Sequence, residues 1–111
     1  MIRVHIDRED IKLTMDGHAG YAEAGSDIIC AAASILVYTA ASRLREITQG
    51  DGLSVRLAPG DAFIHADAPW QIMDECRSVL DTISAGFTLL SGKYPEYLSV
   101  ETGGVTYSNI P

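Results

Sequence analysis

Cysteine is scarce in this chain: only Cys30 and Cys76 occur in 111 residues, far apart and without Cys-x-x-Cys spacing. That excludes a disulfide framework and a zinc ribbon, and it suits a reducing cytoplasm. Cations are also few, eight Lys plus Arg against fifteen Asp plus Glu for a formal charge of −7, and they are scattered. A nucleic-acid footprint needs clustered cations to displace phosphate counterions, so direct nucleic-acid binding is not expected. An acidic surface would instead draw a basic peptide or protein. The N-terminus, MIRVHIDRED, lacks the apolar core of a signal peptide. Long apolar runs are absent as well. The longest, Ile28 to Ala41, is interrupted by Ser34 and Thr39 and falls short of the roughly 20 residues of a membrane span. A soluble cytoplasmic protein is expected, with no membrane partner, no metal and no cofactor.

No composition break divides the chain, and 47% hydrophobic residues suit one domain over residues 1–111 with a single core. Ile2, Val4 and Ile6 alternate with Arg3 and His5, the period of a half-buried strand. Asp7 to Asp10 turns the chain, and Ile11, Leu13 and Met15 supply a hairpin partner. The segment GHAGYAEAGSD, Gly17 to Asp27, is too rich in glycine and alanine to pack as a regular element. From Asp27 to about Gln49 there is neither Pro nor Gly, so a helix is predicted, ending at Gly50. Its apolar residues surround much of its circumference, a hint of a contact between two copies.

Leu53, Val55 and Leu57, then Ala62, Ile64 and Ala66, alternate on either side of a Pro59-Gly60 turn and form a second hairpin. Pro69 suits the first turn of a second helix. Met73, Cys76, Val79, Leu80, Ile83, Phe87 and Leu90 mark one face of that helix, which ends near Gly92. Tyr97 to Glu101 reads as a last strand. The fold class expected is α+β, a two-layer sandwich: a mainly antiparallel five-stranded sheet with both helices on one face, in the order ββαββαβ.

Chemistry gathers around the glycine-rich segment. His18 directly follows the second strand, and Cys30 is expected in the first turn of the first helix. With Ser26 or Asp27 as the cap, the helix N-terminus would stabilise a Cys30 thiolate, the nucleophilic form. Free N–H groups there could also receive the oxyanion of a tetrahedral intermediate. Asp27, Cys30 and Ser34 are three and four residues apart and share one helix stripe. These residues alone leave the question open, because a cysteine among alanines is more often a small hydrophobe. Cys76 reads as core, and His5 and His65 lie on the polar phases of their strands. Trp70, Tyr94, Tyr97 and Tyr107 suit a peptide groove or packing equally.

Residues Gly17 to Leu36, GHAGYAEAGSDIICAAASIL, resemble the signature of the ribosomal-processing cysteine protease (Prp) family. That signature is Gly-His-Ala, a short Gly-containing loop, then Gly-x-Asp-Ile-[Val/Ile]-Cys-Ala-Ala-x-Ser. It is carried by Gly17, His18, Ala19, Gly25, Asp27, Ile28, Ile29, Cys30, Ala31, Ala32 and Ser34. Ala33 departs from the β-branched residue more usual there, a change that bears on packing. The resemblance implies a cysteine endopeptidase that removes the N-terminal extension of a large-subunit ribosomal protein. It implies Cys30 as nucleophile, His18 as general base and acid, Gly17, Asp27 and Ser34 as substrate-binding or orienting residues, and a homodimer. A ribosome-associated binding or assembly factor with a silent thiol is the alternative of a different class. A thiol redox sensor is a third reading, lacking a nearby resolving cysteine.

Overall fold

The computed structural model describes residues 1–17, 23–58 and 60–103, without the side chains of residues 23–27. Seven elements follow in the order expected: β1 (Ile2–Asp7), β2 (Lys12–Asp16), α1 (Glu23–Thr48), β3 (Leu53–Ala58), β4 (Asp61–Ala66), α2 (Trp70–Lys93) and β5 (Leu98–Gly103). The strands form one sheet in the order β3-β4-β2-β1-β5. Three pairings are antiparallel, while β5 runs parallel to β1, Val4 opposite Val100. The sheet is therefore mixed rather than purely antiparallel. A parallel edge follows because α2 carries the chain back across the layer before β5 begins.

Alternation in β1 buries Ile2, Val4 and Ile6, and in β4 it buries Ala62, Ile64 and Ala66, all toward the helices. Helix α1 packs over β3 and β4 and α2 over β1 and β5, and the two helices lie against each other. Phe87, Leu80, Leu44, Val37 and Leu13 fill the space between the layers. On α1 the buried stripe is Ile29, Ala33, Val37, Ala40, Ala41 and Leu44, so small residues let a long helix lie close to the sheet. Gly86 on α2 lets the two helices approach each other, because an added Cβ would meet the end of Leu36 on α1.

Several boundaries moved. Helix α2 uses Pro69 as its N-cap, with extended backbone at φ −67 and ψ 158, so the proline stands just outside the first turn. The apolar segment that ended at Ala41 in the sequence reading runs on within α1. Ile28–Thr48 is in fact long and apolar enough for a membrane span by length and composition. Its buried stripe packs against β3, β4 and α2. The β1–β2 turn is tied to α2 by Arg8, whose Nε and Nη2 donate to Asp81 at 2.8 and 3.0 Å, and by Arg77, which donates to Glu9 at 3.1 Å. Pro59 and the tail from Gly104 onward, including Tyr107, lie outside the described residues.

Candidate active site

Helix α1 carries Cys30 and Ser34 one turn apart, both partly buried, with Cys30 packed against the edge of the core. Asp27 occupies the position one turn earlier on the same helix. The stripe expected from the three- and four-residue spacing therefore has its backbone basis. Its place along the helix differs from expectation. Because α1 begins at Glu23, Ser26 and Asp27 lie inside it and neither is the cap. Cys30 is then almost two turns from the start, beyond the reach of unpaired N–H groups and of a dipole effect that fades within the first turn. The start of α1 at Glu23 therefore does not bring the helix terminus, or its unpaired N–H groups, to Cys30 as expected.

The expected imidazole, His18, lies outside the described residues, as do its neighbours through residue 22. Gly17 is described, and it is held firmly. Its N–H donates to the carbonyl of Gly60 at 3.0 Å, fastening the end of β2 to the β3–β4 turn. Its φ is +98, and a Cβ there would collide with the carbonyl oxygen of Met1. Glycine is thus required at the point where the chain leaves the sheet toward residue 18.

Beside Ser34 the helix and the sheet leave a shallow recess lined by Met15, Val37, Tyr38, Leu57, Ala58 and Ala62. The recess adjoins Ser34, one turn beyond Cys30 on α1. Sequence reading missed Tyr38 and Leu57 as site neighbours. The alternation in β3 assigned Leu57 inward, yet it is 40% exposed, and Tyr38 is 51% exposed. Only the strand order, with β3 at the edge, could have shown it.

The remaining candidates behave as structural groups. Cys76 is fully buried, and burial, aided by the charge of Glu75, holds its thiol above the ordinary value. Both cysteines carry thiols rather than a disulfide. The Nε2 of His65 lies 3.3 Å from Asp10, and the His5 ring lies beside Gly103. Tyr94 and Tyr97 pack against the core, while Trp70 stands exposed at the start of α2. Among the described residues no group of three or more His, Cys, Asp or Glu side chains is placed to hold a metal ion.

Solved structures share this fold. The essential ribosomal processing protease Prp from S. aureus superposes with a TM-score of 0.73 in complex with a substrate peptide and 0.70 with a covalently linked product peptide. Both are 24% identical and cover 93% of this chain and all of that one. SMU.848 from Streptococcus mutans gives a TM-score of 0.66 at 20% identity, covering 94% of this chain and 93% of its own. At these identities the likeness establishes the fold. No curated protein matches the sequence. The family model of the cysteine protease Prp matches residues 1–99, and on that match over most of its length the chain belongs to the cysteine protease Prp family.

Proposed function

We propose that this cysteine protease is an endopeptidase that removes the N-terminal extension of a large-subunit ribosomal protein and so supports ribosome assembly. The observation that carries the reading is Cys30 within the Gly17 to Leu36 motif of a chain that matches the protease family over residues 1–99. The substrate class is lent by the S. aureus protease, described as ribosomal processing and bound to a substrate peptide.

Cys30 acts as the nucleophile and His18 as the general base and acid. The thiolate attacks the scissile carbonyl, a C–S bond forms, and the tetrahedral intermediate collapses as the C–N bond breaks. The His18 imidazolium gives its proton to the leaving amine, and its neutral form then activates the water that hydrolyses the thioester. Asp27 and Ser34, one turn on either side of Cys30, bind or orient substrate, and Gly17 sets the start of the segment that bears His18. The excess of anions, fifteen against eight cations, favours a basic peptide and disfavours nucleic acid.

The same proposal places the enzyme in the cytoplasm, where both thiols stay reduced, and makes it a homodimer. Ile28 and Ile35 support the dimer, as large apolar side chains more than half exposed on α1. The test is incubation of the purified protein with a peptide spanning the extension junction. Wild type is expected to cut it at one bond and Cys30→Ala to leave it intact. An uncut peptide with wild type, or undiminished cleavage by Cys30→Ala, overturns the reading.

A further inference from the structure

Among the described residues strand β3 ends the sheet and pairs with β4 alone. Two residues separate Ala58 from Asp61, which makes that pair hydrogen-bonded, and with it Arg56 with Phe63 and Ser54 with His65. The alternate residues, Val55 and Leu57, then aim their N–H and C=O groups away from β4. Among the described residues no backbone bond from another element reaches them. Nor is this edge buried, since Arg56, Leu57 and Ala58 are all exposed.

Natural proteins usually blunt such an edge, because it is a template for another extended chain. Here it borders the nucleophile's helix: Leu57 and Ala58 share the recess with Ser34 and Tyr38, one turn and two turns beyond Cys30. The other edge, β5, lies four strands away, roughly 19 Å at about 4.8 Å per strand. A row of alternating unpaired donors and acceptors is matched best by a polypeptide backbone, and a polypeptide is what a protease cuts.

We propose that substrate binds as an added strand on the outer edge of β3, its backbone hydrogen-bonded to Val55 and Leu57 and its scissile bond carried toward Cys30. The proposal rests on the peptidase reading above and adds its mode of recognition. Main-chain pairing supplies affinity with little regard to sequence, and alternate side chains of the bound segment face Leu57 and Tyr38.

The test is a backbone scan of the extension-junction peptide, each amide N-methylated in turn, with KM measured on the wild-type enzyme. Methylation at alternate amides should raise KM about tenfold and leave the intervening positions unchanged, the loss of a single hydrogen bond at each. A protein variant reads the same contact. Leu57→Pro removes the outward N–H without breaking a bond to β4, and it should raise KM well beyond Leu57→Ala, which removes the side chain alone. If the parent peptide is cut but the scan shows no alternation and Leu57→Pro matches Leu57→Ala, the edge pairing is overturned while the peptidase reading stands. A parent peptide left uncut overturns both.

Discussion

Gly17→Ala is expected to be costly, and by an amount that separates two effects. Its φ of +98 is a conformation that a side chain opposes, and the new Cβ would collide with the carbonyl oxygen of Met1. The first effect costs about 1–2 kcal/mol. The second forces backbone to move, for about 1–3 kcal/mol more. Gly50 isolates the first: its φ is +82 and nothing lies within 4 Å of a Cβ. Thermal unfolding by circular dichroism should therefore show a drop of about 8–20 °C for Gly17→Ala and about 4–8 °C for Gly50→Ala, taking ~4 °C per kcal/mol for a domain of this size. The functional consequence differs as well. Below its lowered Tm, Gly17→Ala should cut the junction peptide slowly, because the start of the His18 segment has shifted, whereas Gly50→Ala should cut normally. Equal Tm losses in the two variants, or full activity in Gly17→Ala, would refute the argument that Gly17 is fixed by contact as well as by conformation.

Phe87 is fully buried between the layers, so Phe87→Ala should lower unfolding free energy by about 3–5 kcal/mol in urea titration; a loss below about 1 kcal/mol would mean the core closes differently. The raised pKa of Cys76 predicts an alkaline weakness. Above the ordinary value of 9.0 the unfolded chain releases this proton while the folded chain keeps it, so stability is full below that pH and falls as pH rises past it. Urea midpoints on either side of pH 9 should fall more steeply in wild type than in Cys76→Ala, and parallel slopes would count against the burial argument.

Much of the fold was legible because its signals are local. Alternation in Ile2 to Ile6, Ile11 to Met15, Leu53 to Leu57, Ala62 to Ala66 and Tyr97 to Glu101, the three-and-four spacing from Met73 to Leu90, and Gly50 after the first helix placed all seven elements. What was lost depended on contacts distant in sequence. Nothing in Leu98 to Gly103 says that it runs parallel to β1, and nothing in Leu57 says that its strand lies at an edge. The start of α1 was misplaced for a different reason. Gly25 and Ser26 read as loop and cap, yet the chain is already helical at Glu23, and that shift moves Cys30 away from the helix terminus. For the site, residue types and spacing leave catalysis at Cys30 an open reading, and the start of α1 at Glu23 removes the capping argument for it. The motif carried more information than the local physics, because it ties His18 to Cys30 across a segment whose composition predicts no regular element.

The most direct test is the intact mass of the enzyme after acid quench during turnover of the junction peptide. A thioester of the N-terminal product on Cys30, located by peptide mapping and absent in Cys30→Ala, is the result expected. Cleavage that proceeds with no such adduct, or with the adduct on Cys76, would contradict the assignment of Cys30 as the nucleophile.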